Sequence, residues 1–285
     1  MIPAKIRAPL GSLAAGSHFV YAAHPLREMF TPTILRFESI DSTNLEAMRQ
    51  AKAGAPEGLC IVAREQTRGR GRLDRSWHSP KDTGLYFSIL LRPSFEVSGW
   101  PLISLAAALA VSDAVAKTFR VRVDIKWPND VNADGRKLAG ILAETIETVK
   151  GGAVILGIGI NLTTEGFQPE LYGVATAIAA VTDCPIDPES LIAEIIKSLT
   201  RRYEMLQTEE GRRQTIRDWC ANSSYADGCE VRVTLHRESF EGVTRGLETD
   251  GALRVETSDG AMKVVRAGDV TALRAKTGNN PDNDR

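Results

Sequence analysis

Two short segments hold most of the residues in this chain that could do chemistry: RGRGRLDRSWHSP at 68–80 and KWPNDVNADGRKLAG at 126–140. The first sets Arg68, Arg70, Arg72 and Arg75 against a single acid, Asp74, with Gly69 and Gly71 between them. Guanidinium groups bind carboxylates and phosphates through paired hydrogen bonds, and glycine lets a backbone bend closely around a ligand. The second segment brings Lys126, Asn129, Asp130 and Lys137 together around a hairpin turn at Asp134-Gly135. Lys137 enters a strand that is otherwise apolar as far as Glu144. An unpaired charge there is costly, so Lys137 is expected to face a ligand. Fixed cations beside open backbone amides suit a site that joins a carboxylate to a nucleotide phosphate. Each segment also has a plain reading, the first as a solvated or RNA-contacting RG loop and the second as a turn that buries Trp127.

Two further patches stay open on residue type alone. Ser42 and Thr43 in the run DSTN at 41–44 either cap a helix, with Thr43 and Glu46 at capping-box spacing, or present helix-start amides to an anion. In GIGINL at 157–162, glycine inside a strand marks a bulge or a close approach, and Asn161 either caps the strand end or touches a ligand. Two common nucleotide motifs fail. Asp74 stands where a dinucleotide fingerprint needs its third glycine, and Ile141 follows Gly140 where a P-loop needs lysine. The four histidines have no metal-ligand spacing and read as structural or surface residues, so no metal ligands are assigned.

The elements that must position these residues follow from periodicity and punctuation. Strands are expected at 33–39, 59–64, 85–91, 121–127, 138–149 and 153–160, with helices after residue 41 and over 101–119, 188–206 and 209–220. Tight turns favour a mixed or antiparallel sheet with helices on one face, because parallel crossovers need longer connections. Beyond residue 227 short strands alternate with glycines, the pattern of a small β-barrel. The fold class is therefore α+β. An irregular extension is expected at 1–30, a larger domain at 31–226, the barrel at 227–275 and a disordered tail at 276–285. The extension is too short for a three-helix DNA-binding module.

Composition narrows the function classes. Among 285 residues, 35 are basic and 36 acidic, so bulk charge does not hold this protein on nucleic acid or membrane. Cys60, Cys184, Cys220 and Cys229 lack CxxC spacing, which fits reduced thiols in a cytoplasm. No apolar run is expected to reach the ~18 residues of a membrane span.

Taken in order, DSTN, EQTRGRGRLDRSWHSP at 65–80, KWPNDVNADGRKLAG and GIGINL resemble the bacterial biotin protein ligases over roughly residues 33–275. The resemblance implies a mixed-sheet catalytic domain followed by an SH3-like barrel. It implies that biotin attacks the α-phosphate of ATP, with Mg²⁺ present, and that biotinyl-adenylate then acylates a lysine of a biotin carboxyl carrier protein. By motif position, Ser42, Thr43, Asn44 and Gln66 would bind the biotin ring system, with Gly69, Arg70 and Arg72 closing over its carboxylate and the phosphate. Trp77 would stack near the adenine, and Asn129, Asp130 and Asn161 would hold the adenylate side. Lys137, with Arg70 and Arg72, would stabilise charge on the carboxylate and the α-phosphate. The family often carries glycine where this chain has Asp74. Because Asp74 alone neutralises the loop arginines within the segment, the loop is expected to be mobile until a ligand supplies an anion. The likeness is to the ligase-only type without DNA binding, and it leaves a homodimer open. Two competing readings remain at this stage, a lipoate or octanoate ligase on a related fold and a non-catalytic RNA-binding protein.

Overall fold

A computed structural model describes residues 32–235 and 238–273. The expected extension at 1–30 and tail at 276–285 lie outside them. The main sheet has seven strands in the order β1-β2-β3-β7-β6-β5-β4. The first strands are β1 (Thr33–Phe37), β2 (Leu59–Ala63) and β3 (Gly84–Leu91), followed by the short β4 (Asp124–Lys126) and β5 (Asp130–Ala133). The long hairpin β6 (Arg136–Thr148) and β7 (Gly151–Asn161) completes the sheet. Only β1 and β2 run parallel, and α1 (Thr43–Lys52) provides the long crossover that such a pair requires. β3 is buried along almost its whole length, as expected of a strand covered on both faces.

The mixed-sheet class expected from the sequence is the one found, with a difference in how the helices are arranged. α1 packs its Ala47 and Ala51 with Ile61, Leu90 and Ile155 on one face. On the other face Phe87, Ile89, Leu91 and Leu156 join the core around α2 (Leu102–Phe119), α3 (Pro188–Met205) and α4 (Glu209–Ala221). The helices thus cover both faces, because alternate residues of β3 are apolar on each side. The stretch Val97–Phe119 is also long and apolar enough by composition to span a membrane, contrary to the expectation. Most of it is buried between the sheet and α3 and α4, which explains an apolar content on all sides of the helix.

The region 121–138 departs from the expected single hairpin. β4 pairs with β5 around Trp127, Pro128 and Asn129, and β5 pairs with β6 around Asp134 and Gly135. Both turn residues have positive φ, 50° and 71°, as a type I′ hairpin demands. The C-terminal region expected to form a barrel is a five-stranded antiparallel sheet. It contains β8 (Asp227–Thr234), β9 (Ser239–Leu247), β10 (Leu253–Glu256), β11 (Met262–Val265) and β12 (Asp269–Ala272), in the order β11-β10-β9-β8-β12. Its Val231, Val233, Leu253 and Val255 belong to the same core as the main sheet. Trp127 Nε1 also donates to Gly251 O at 3.0 Å, fastening the two sheets together.

Candidate active site

The floor of the site is made by residues that lack side chains. Gly140 and Gly159 are register partners on β6 and β7, and the Trp77 indole lies against both. A Cβ on Gly159 would come within 2.6 Å of that ring, and one on Gly140 within 2.8 Å. A Cβ on Gly157 would meet Asn44 Oδ1 at 2.1 Å. The glycines of GIGINL therefore serve close approach, the second of the two outcomes left open by the sequence.

A hydrogen-bonded relay runs along the same face of the sheet. Gln66 Oε1 accepts from Thr43 N at 2.8 Å and from Thr43 Oγ1 at 3.1 Å, and Gln66 Nε2 donates to Ser79 Oγ at 2.9 Å. Ser88 Oγ lies 2.7 Å from Thr43 Oγ1 and donates to Asn44 Oδ1. Asn44 Nδ2 donates to Glu144 Oε2 at 2.8 Å and to Leu142 O at 3.4 Å. Asn44 thus has its amide satisfied inside the protein. The expected capping box at Thr43 is not formed: Ser42 is the N-cap of α1 and makes no side-chain capping bond, while Thr43 turns to Gln66. Ser42 is left facing the cleft.

The cations arrive with partners. Arg70 Nη1 meets Glu144 Oε1 at 3.0 Å, and Arg72 Nη1 donates to Asn129 Oδ1 at 3.2 Å and to Gly268 O at 3.5 Å. Arg75 forms a two-pronged ion pair with Asp269, and Arg68 lies 3.4 Å from Asp41. This corrects the expectation that Asp74 is the only acid available to the loop. Three acids distant in sequence neutralise it, while Asp74 is exposed at φ 57°. Inside the loop, Trp77 N donates to Gly69 O and Gly71 N to Arg75 O, so the segment also bonds to itself. Burial pulls the Arg72 guanidinium below its ordinary basicity, opposed by Asp269 and Asp130. It stays charged because guanidinium does not deprotonate in proteins. Lys137 likewise is not unpaired: Nζ is 2.7 Å from Asp130 Oδ1 and sits 5.3 Å from the centre of a Trp77 ring.

One cleft brings together Ser42, Thr43, Asn44, Gln66, Arg70 and Arg72. Trp77, Asn129, Asp130 and Lys137 line it as well. Gly69 and Asn161 stand behind the lining. A Cβ on Gly69 would sit 2.3 Å from Trp77 O, so this glycine lets the loop fold back on itself. Asn161 Nδ2 donates to Thr176 O at 2.9 Å and to Lys137 O at 3.4 Å, fixing the backbone from which Lys137 projects. Ser79, Ser88, Glu144 and Asp269 join the site without having been singled out from the sequence. A serine or acid inside a strand or turn gives no spacing signal, and only the fold reveals its partners. No cluster of three His, Cys, Asp or Glu side chains is placed to hold a metal ion among the described residues.

Comparison with known proteins identifies the family. Residues 36–161 match the biotin/lipoate A/B protein ligase family, and residues 228–271 match the biotin protein ligase C-terminal domain. The chain is 34% identical over 241 residues to the biotin–[acetyl-CoA-carboxylase] ligase of Mycobacterium tuberculosis, covering 82% of this chain and 86% of that protein. It is 34% identical over 245 residues to the bifunctional ligase/repressor BirA of Bacillus subtilis, covering 84% and 74% respectively. The biotin protein ligase of Aquifex aeolicus in complex with biotin and ATP superposes with a TM-score of 0.74 at 28% identity, covering 86% of this chain and all of that one. With both domain matches in order along one chain, this protein belongs to the biotin protein ligase family.

Proposed function

We propose that this chain activates biotin with ATP and transfers it to a lysine of a biotin carboxyl carrier protein. The observation that carries this reading is the convergence of Arg70, Arg72 and Lys137 on one cleft that the hydrogen-bonded Thr43, Asn44 and Gln66 also line. In the first step a biotin carboxylate oxygen bonds to the α-phosphorus of ATP, and the bond to the β-phosphate bridge breaks with loss of pyrophosphate. In the second, the carrier lysine's amine attacks the acyl carbon and AMP leaves.

The proposed roles follow from charge and hydrogen-bonding capacity. Arg70, Arg72 and Lys137 offset the repulsion between two anions and meet the charge growing at phosphorus. Ser42, Thr43 and Gln66 present hydroxyl and amide groups to the ring system, with Asn44 and Gly69 shaping that wall. Trp77 offers an aromatic face to the adenine, and Asn129 and Asp130 serve the adenylate side, with Asn161 behind Lys137. Mg²⁺ enters with ATP as part of the nucleotide substrate, held by its phosphates. The proposed setting is the cytoplasm, supported by four unpaired cysteines. Near-neutral charge supports a reading without a nucleic-acid partner. The RNA-binding alternative is not favoured, since the relatives along this chain are biotin protein ligases.

Pyrophosphate exchange into ATP, run separately with biotin, lipoate and octanoate, tests the proposal. Biotin is expected to drive exchange. Exchange with lipoate or octanoate but not biotin would transfer the assignment to the sister activity.

A further inference from the structure

Gly140, Leu142, Glu144 and Ile146 alternate along β6 onto the face that α1 covers. Gly140 lies under Trp77, Leu142 lines the cleft and Ile146 packs on the α1 cluster. Glu144 is the one ionisable side chain in that series, and only 19% of it is exposed. A carboxylate so covered needs partners that hold it well. Its partners are Arg70 and Asn44, and among the described residues Glu144 is the acid to which Arg70 is bonded.

The contact is made through Arg70 Nη1, at 3.0 Å and 3.3 Å from the two carboxylate oxygens. That leaves the Nε and Nη2 edge, the pair of parallel donors that fits a planar carboxylate. At its other end Glu144 continues through Asn44 and Ser88 to Thr43 and Gln66. One carboxylate therefore ties the arginine expected at the acyl anion to the residues expected at the ring.

We propose that Glu144 is a positioning residue for acyl activation: it grips Arg70 by Nη1 so that the free edge of the guanidinium meets the carboxylate of the acid. The proposal rests on the function given above, and it deepens that function without changing the reaction. Glu144 touches neither substrate nor phosphate, so its effect travels through Arg70.

The test is pyrophosphate exchange by the full chain against biotin concentration, with a thermal melt of each protein. Glu144→Ala is expected to raise KM for biotin about tenfold or more, the scale of one hydrogen bond to a charged group, with KM for ATP changed less than threefold. Glu144→Gln, which keeps an acceptor for Arg70 but loses the charge, should recover part of the loss and stay about threefold or more above the unmodified chain. The double variant Glu144→Ala/Arg70→Ala should be no worse than Arg70→Ala alone, because the partner through which Glu144 acts is already gone. A purely structural role predicts additive losses, and additivity overturns the proposal. So does a folded Glu144→Ala or Glu144→Gln protein with KM for biotin within twofold of the unmodified chain. Should the alanine variant melt below assay temperature, the glutamine variant alone decides the question by the same criterion. Failure of the function itself shows elsewhere, as absent biotin-dependent exchange in the unmodified chain, and that result would overturn both readings.

Discussion

Lys137 lines the cleft, and it is not the unpaired cation that its place in an apolar strand suggested. Its charge is balanced by Asp130 and rests near the Trp77 ring, so under the proposed function an anionic ligand meets a cation already aimed and partly neutralised. Lys137→Ala should lower the single-turnover rate of adenylate formation by ~10²-fold or more, the usual cost of one preorganised donor, while the melting midpoint moves little. Lys137→Arg should rescue only in part, since a planar fork cannot replace a compact ammonium. Near-wild-type turnover in the alanine variant would move the role to Arg70 or Arg72. Gly159 makes a second residue-scale case, because Ala there would drive a methyl into the Trp77 ring at 2.6 Å. If Trp77 supports the adenine, Gly159→Ala should raise KM for ATP roughly tenfold, the scale of one base stacked on an aromatic ring. An unchanged KM for ATP would remove Trp77 from that role.

At the scale of the element, the arginine-glycine segment acts as a clasp between the two sheets. Arg72 reaches Gly268 O and Arg75 reaches Asp269, while Arg70 is tied to β6. Leu73 and Asp74 at its tip adopt φ values of 54° and 57°, a conformation that glycine takes more easily. Aspartate is among the side chains that tolerate it, so Asp74 does not break the turn. The Arg75–Asp269 pair is partly exposed, and such pairs contribute only ~0.2–1 kcal/mol to global stability. Asp269→Ala should therefore leave the melting midpoint nearly unchanged and yet accelerate hydrogen exchange in peptides spanning 66–80. Unchanged exchange in those peptides would show that the loop does not depend on the C-terminal sheet.

Across the whole molecule, stability and chemistry occupy different places. Behind the main sheet, Arg202 is almost wholly buried and bonded to Asp113 on α2 and Asp218 on α4, locking three helices together. Burial pushes the Asp113 carboxyl up, but hydrogen bonds from Arg202 and Ser198 outweigh it and hold the group below its ordinary range. Hydrogen bonds from Arg49 hold Asp41 well below that range too. A carboxyl depressed in the folded state contributes stability above its unfolded pKa and loses it as pH falls through the acid range. The melting midpoint should accordingly drop between about pH 5 and pH 3. Arg202→Ala should cost about 2 kcal/mol at neutral pH, below the usual range for a broken buried pair because both acids can regain water. It should also flatten the acid limb, with KM values for biotin and ATP unaltered. A shift in either KM would show that the helical layer reaches into the site.

How much of this was legible in the sequence divides by range. The apolar run that became α2, the Asp134-Gly135 turn and the start of α3 at Pro188 are local matters of periodicity and backbone conformation, and they were readable. Ordered motifs were enough for the family, because residues that surround one ligand keep their types. The acids that neutralise the loop were not readable. Asp41, Glu144 and Asp269 stand 27, 74 and 194 residues from Arg68, Arg70 and Arg75, and nothing in spacing announces those pairs. The same holds for the strand β5 and for α1 lying on the opposite face of the sheet. Nor does a glycine in a strand say which group will approach it, and only the packed sheet put Trp77 on Gly140 and Gly159. Hydrogen bonding and steric contact act over a few ångströms of space, whatever the separation along the chain, so strand register and helix packing had to be in place before those partners existed.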